Sequence, residues 1–172
     1  MNCIIYLVRS SEKDVEEFNK SLSLLEENLL KYTTADVLVF VEESFEKYKS
    51  KVETNLELLY QTIEFNLPDY PSEILDNIPE FYPHPTHGNG PIEWGHPGFT
   101  MGYRHMCRLF SGEIYKFPVV QEYEYYIRLD TDSFIHTSLG YDIFKWAKDN
   151  ECWYGYVAVS YTHLRAHETR LN

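Results

Sequence analysis

Several things are scarce or missing in this chain, and each narrows its function. Cysteine appears only three times, at Cys3, Cys107 and Cys152, with no C-x-x-C spacing, so a structural zinc site is not expected. The count fits one disulfide plus a free thiol or three buried thiols, and it does not choose between a secretory and a cytosolic setting. No apolar run approaches the ~20 residues needed to span a bilayer. Met1 leads almost directly into an apolar stretch with no basic-then-apolar leader, so any membrane anchor is expected outside this chain. Excess positive charge is missing too. The formal net charge is -12 and the acidity is spread along the chain, which excludes a nucleic acid as the main partner.

What is present is enough for one globular domain. The 172 residues are 44% hydrophobic and 24% charged, too apolar for disorder and too short for two ordinary domains. The 15 Tyr and 10 Phe suit a carbohydrate- or nucleotide-facing cleft and a core equally well. Cys3–Val8 is a continuous apolar run, as in a buried parallel strand. Ser11, with Asp14 three residues later, starts a helix expected from Glu12 to Lys31. Val15, Phe18, Leu22, Leu25 and Leu29 form its apolar face, with Glu16, Glu17, Glu26 and Glu27 opposite. Val37–Val41 reads as a second buried strand, Ser44 to about Asn55 as a short helix, and Thr62–Phe65 as a third, weaker strand. This order predicts a β-α-β-α-β half of a doubly wound sheet.

From Asn66 to Pro97 the periodicity disappears among prolines and glycines, as in a long functional loop. His84, His87 and His96 lie there. Their spacing matches no zinc pattern, and solvated loop histidines are expected instead. A helix resumes near Phe99, with Phe99, Tyr103, Met106 and Phe110 at helical spacing and Gly112 at its end. Arg104 and Arg108 fall one turn apart on its flank, where they clamp a phosphate or carboxylate or else pair with nearby acids. Tyr141–Lys148 is expected to be a short helix and Trp153–Val159 an apolar strand.

The stretch from Tyr123 to Asp132, YEYYIRLDTD, orders the rest. An aromatic and aliphatic strand ends in two carboxylates, Asp130 and Asp132. Carboxylates at the carboxyl end of a sheet strand sit where open α/β sheets bind ligands, and such a pair can hold a hard divalent cation that bridges phosphates. The bland alternative is a surface turn, for which Asp-Thr-Asp-Ser is suitable chemistry.

The segment Tyr103–Asp132, with Y-R-H-M-C-R, S-G, Y-K-x-P and the aromatic strand ending in acids, resembles the signature of fungal-type α-1,2-mannosyltransferases, glycosyltransferase family 15. Tyr6–Glu12 resembles the family's opening strand-to-helix turn, and Tyr141–Trp146 and Tyr154–Tyr156 resemble later segments. The resemblance implies a GT-A fold (Rossmann-like, nucleotide-diphospho-sugar transferase), incomplete in this α/β chain. It also implies a retaining, Mn²⁺-dependent transfer of mannose from GDP-mannose to a mannosylated glycan or glycoprotein acceptor in the Golgi or secretory pathway. It places Asp130 at the family's metal-binding Glu and Asp132 at its second acid, with Thr131 in place of the usual Pro. Tyr103 falls on the active-site Tyr and Arg9 near the nucleotide. A nucleophile-candidate Glu and a metal-binding His are expected further on than this chain reaches, so the fragment alone is expected to be inactive. Residues 1–159 are read as the nucleotide-sugar-binding part of the catalytic domain. Residues 160–172 resemble translated adapter read-through and are expected to be foreign to the fold. The competing readings are a non-catalytic carbohydrate-binding fragment and a D-x-D phosphatase with Asp130 as nucleophile.

Overall fold

The computed structural model describes residues 1–66, 71–76, 81–82 and 99–155. Strand β1 (Asn2–Val8) pairs in parallel with β2 (Asp36–Val41) on one side, in a register that sets Ile4 beside Val37 and Val8 beside Val41. On the other side it pairs in parallel with β6 (Tyr125–Leu129), Tyr6 standing opposite Leu129. With β3 (Leu58–Thr62) beyond β2, the order is β3-β2-β1-β6. The two inner strands are almost wholly buried, which explains why both read as unbroken apolar runs rather than alternating ones. The outer strands β3 and β6 are half-exposed.

Alternation along the strands divides the core into two layers. Ile4, Tyr6, Val8, Val37, Val39 and Val41 face helix α1 (Glu12–Leu25). Cys3, Ile5, Leu38 and Phe40 face the opposite way. That second face is covered by Leu109 of α3 (Met101–Ser111), by Ile114 in a 3₁₀ turn (Glu113–Lys116), and by Val120 of α4 (Pro118–Gln121). The result is the three-layer α/β arrangement expected of half a doubly wound sheet. Short elements lie between β3 and α3: α2 (Ser72–Leu75), and β4 (Phe81–Tyr82) paired antiparallel with β5 (Phe99–Thr100).

Helix α1 starts as its sequence predicts. The Ser11 hydroxyl accepts from the Asp14 amide at 3.1 Å and also donates to the Asp14 carboxylate. Such a cap stabilises by ~1 kcal/mol. Phe18, Leu22, Leu25 and Leu29 are each buried to 1% exposure or less and contribute ~2 kcal/mol apiece. Packing, far more than capping, therefore seats the helix. Its last turn is a π-helix, Glu26–Leu30, so helical structure ends one residue short of the expected Lys31.

Three expectations need correction. The third strand is Leu58–Thr62, not Thr62–Phe65. Its register with β2, Val37 opposite Leu58 and Val39 opposite Tyr60, lays Leu58 and Tyr60 on the α1-facing core. Ile63 follows the strand, donating its amide to the Val41 carbonyl at 2.8 Å. The segment after β2 is a 3₁₀ helix, Glu43–Lys51, anchored by buried Phe45, and it stops short of Asn55. Residues 153–155 of the expected final strand have no regular structure, and Trp153 is 94% exposed. The remainder of that strand, the residue 160–172 tail and His84, His87 and His96 lie outside the described residues. All three cysteines are free thiols; Cys3 is buried, Cys107 and Cys152 only partly so.

The last helix, α5 (Ile143–Asp149), is capped by Asp142. One carboxylate oxygen accepts from the Thr33 hydroxyl at 2.6 Å and from the Phe144 and Lys145 amides at 3.0 and 3.1 Å. The Thr33 bond leads the causes that hold this carboxyl below its ordinary pKa. A depressed carboxyl stabilises fully above the unfolded value of ~3.9, and that contribution is lost as pH falls through the lower folded value. Asp142→Ala is expected to cost about 1 kcal/mol near neutrality, with the gap from wild type closing on acidification. Urea unfolding across pH measures both, and a gap independent of pH would refute the assignment.

Candidate functional site

The chain runs outward from β1 through β2 to β3, then returns to β1's free side with β6. Strand order therefore reverses between β1 and β6. In open α/β sheets the crevice at the carboxyl ends of the strands flanking such a reversal is the ligand site. Both strands run the same way, so the residues that follow them share that edge. Arg9 follows β1 directly, and Asp130, Thr131 and Asp132 follow β6. Three of the sequence-predicted site residues thereby follow neighbouring strands at the same edge of the sheet.

The acidic stretch is a turn. The Ser133 amide donates to the Asp130 carbonyl at 2.9 Å, and the Asp130 amide donates to the Ser133 hydroxyl at 3.0 Å. This turn does not by itself exclude a ligand site. Thr131 points inward and is buried, which leaves Asp130 and Asp132 on either side of it exposed to solvent. Among the described residues no group of three or more His, Cys, Asp or Glu side chains converges. Two exposed carboxylates are a poor zinc cage, but they fit a hard cation that fills its remaining positions with phosphate oxygens and water.

Arg128, whose role the sequence did not signal, organises the turn's flank. Its guanidinium donates to Asp130 Oδ1 at 2.8 Å and lies 4.0 Å from the centre of the Phe110 ring. It also approaches the Met106 sulfur at 3.5 Å. Phe110 and Met106 belong to α3, so Arg128 links the acidic turn to that helix. Tyr103 lies one turn before Met106 on α3 and is 45% exposed; its amide is capped by the Thr100 hydroxyl at 3.1 Å.

Arg9 keeps its side chain largely in solvent, with Nε donating to Asp14 at 2.9 Å. For Arg108, of the two outcomes expected, pairing with an acid is what the structure contains. Its Nε lies 3.1 Å from Glu113, and its terminal nitrogen donates to the Asn66 carbonyl at 2.5 Å. His105, between the two arginines in sequence, stacks on Phe65 at 5.3 Å. Burial, then the charges of Arg108 and Arg104, push its imidazole below the ordinary value.

Sequence reasoning also passed over Ser21 and Asn28. Both lie on the buried side of α1 and reach the loop that follows β6: Ser21 Oγ donates to the Ser133 carbonyl at 2.8 Å, and Asn28 Nδ2 to the Ile135 carbonyl at 2.7 Å. The available signal was two polar residues seven apart, continuing the spacing from Asp14, on a mostly apolar helix stripe.

Residues 1–169 match the family model described as glycolipid 2-alpha-mannosyltransferase. Over 69 residues the chain is 41% identical to alpha-1,2 mannosyltransferase KTR1 of Saccharomyces cerevisiae, a match covering 40% of this chain and 17% of that protein. The structure resembles that of the mannosyltransferase Ktr4p from S. cerevisiae with a TM-score of 0.59 at 25% identity, covering 87% of this chain and 36% of that one. It resembles core-mannan synthase A from Aspergillus fumigatus, in its Mn/GDP form, with a TM-score of 0.57 at 21% identity, covering 87% of this chain and 40% of that one. The chain thus spans well under half the length of these relatives.

Arg128→Ala removes both the ion pair and the packing on Phe110, whereas Asp130→Asn removes only the ion pair. Because the pair is exposed, Asp130→Asn is expected to change stability by less than about 0.5 kcal/mol. Arg128→Ala is expected to cost about 1 kcal/mol. Equal losses in urea unfolding would show the ion pair, not the ring contact, to be the main support.

Proposed function

We propose, since the chain belongs to the glycolipid 2-alpha-mannosyltransferase family, that its full protein transfers mannose from GDP-mannose to a mannose-containing glycan acceptor, with retention at the anomeric carbon. The observation that carries this reading is the placement of Asp130 and Asp132, both exposed, at the carboxyl edge where strand order reverses. The Mn/GDP form of the Aspergillus relative supports the same ligand chemistry.

In this reading Asp130 and Asp132 hold a divalent ion, Mn²⁺ by preference, together with the donor's diphosphate. When bound, such an ion supplies the Lewis acid that offsets negative charge growing on the departing GDP. Arg9, at the neighbouring strand end, contributes a second, fixed positive charge toward that diphosphate. Asp14 keeps the guanidinium oriented through Nε. The Arg128 pair holds Asp130 in one rotamer before the ion arrives, which lowers the entropy lost on binding. Tyr103, on the first turn of α3, lines the donor or acceptor side.

Glycosylation of secreted proteins in the Golgi is the setting we assign. Among the described residues no helix is long and apolar enough to cross a membrane, so attachment to one is assigned to polypeptide outside them.

Calorimetry on the full protein tests the reading. GDP is expected to bind with Mn²⁺ present and to lose at least about tenfold in affinity on chelation or in Asp130→Asn/Asp132→Asn. GDP binding indifferent to both would overturn it. No GDP binding at all would favour a carbohydrate-binding module, and phosphate release from a generic ester would favour the phosphatase.

A further inference from the structure

We propose that Ser21 and Asn28 of α1 are positioning residues for the acidic turn, holding the backbone that aims Asp130 and Asp132 at their cation. The proposal deepens the metal-dependent donor site above and rests on it.

The face of α1 that carries them is mostly apolar: Val15, Phe18, Leu22, Leu25 and Leu29 all lie in the core, and the other buried polar residue on it, Asp14, pairs locally with Arg9 and Ser11. Ser21 is 1% exposed and Asn28 9%. Burying a hydroxyl or an amide costs free energy unless it is hydrogen-bonded. Alanine or leucine would fill such positions without that cost. Both polar groups instead spend their donors on carbonyls of a loop more than a hundred residues away, Ser21 on Ser133 and Asn28 on Ile135. The Asn28 backbone carbonyl also accepts from the Leu139 amide at 3.2 Å. The loop after β6 is therefore tied to α1 at three points.

Hydrogen counting extends the chain inward. A serine hydroxyl has one proton, and Ser21 gives its proton to the Ser133 carbonyl. The Tyr6 phenol, 2.9 Å from Ser21 Oγ, must then be the donor of that bond. Burial pushes the Tyr6 phenol up to about 12, so it remains protonated and able to donate at neutral pH. The relay runs from Tyr6 in the central strand, through Ser21, to the Ser133 carbonyl. Ser133 is also the residue that closes the turn onto Asp130, by its amide and its hydroxyl. Sheet, helix and turn are thus joined by directional bonds at the residue next to Asp132. Arg128 holds the Asp130 carboxylate from the outside, while the backbone beneath both aspartates is set from the inside by α1. Partners that orient a ligand-bearing group without touching the metal commonly change its affinity ten- to a hundredfold (about 10–100) when removed.

The test is calorimetric titration of Mn²⁺ into the full protein with GDP present, with the electron paramagnetic resonance spectrum of bound Mn²⁺ as a second readout. Ser21→Ala is expected to weaken Mn²⁺ binding about tenfold and broaden the spectrum while circular dichroism shows a folded protein. Ser21→Thr, which keeps the hydroxyl, is expected to restore both. Leu38→Val, in the opposite core layer, is expected to lower the Tm and leave Mn²⁺ affinity unchanged. Should Ser21→Ala not fold, Asn28→Ala carries the same expectation. Wild-type Mn²⁺ affinity in the folded Ser21 or Asn28 variant, with affinity lost in Asp132→Asn, would overturn the positioning role and leave the metal site standing. No Mn²⁺ binding by the wild type would overturn both.

Discussion

The parallel pairing of β1 with a partner on each side is the constraint from which the candidate site follows. Parallel strands must be joined by crossovers, and here the chain leaves β1 toward β2 and β3, then comes back to β1 by way of β6. The crossover into β6 passes over the face opposite α1, whereas the loop that leaves β6 packs on the same face as α1. Helix α1, following β1, covers one face; the elements preceding β6 cover the other. Arg9 and the acidic turn are left at the open edge between them. Neither the charge of Arg9 nor that of Asp130 and Asp132 could be buried cheaply, and this edge is where they need not be.

The second organising feature is the contrast between what seats α1 and what α1 does. Its apolar stripe supplies most of the adhesion, at ~2 kcal/mol for each fully buried side chain. The buried Ser21 and Asn28 add little net stability, since a typical hydrogen bond contributes ~1 kcal/mol. Their effect is directional. A stripe of leucines holds a helix against a sheet while tolerating small slides, whereas a hydroxyl on one carbonyl and an amide on another fix a loop relative to that helix. The loop concerned is the one that begins at Asp130.

Arg128 resolves a tension in the acidic turn. Two carboxylates beside one another repel when no cation is present. The guanidinium reduces that repulsion from the Asp130 side, and the Phe110 ring holds the guanidinium in place.

Much of this was legible in the residues themselves. The burial of Cys3–Val8 and Val37–Val41, the Ser11 cap, the 3.6-residue stripe of α1 and the acids closing β6 are local patterns, and local sterics and burial fix them. The third strand lies earlier than expected because Leu58–Thr62 and Thr62–Phe65 both carry the apolar and β-branched residues of a strand. Only the register against β2, decided by which side chains reach the α1 core, separates them. The pairing of Arg128 with Asp130 and Phe110, and the reach of Ser21 and Asn28 to Ser133 and Ile135, depend on residues up to 112 positions apart. Hydrophobic period and capping chemistry act within a few residues of chain, so the sequence alone determined the two inner strands, helix α1 and the position of the acidic pair at the end of a strand. Where that pair stands, and what holds it there, was decided by the order of strands in the sheet, because only folding brings the ends of β1 and β6 side by side.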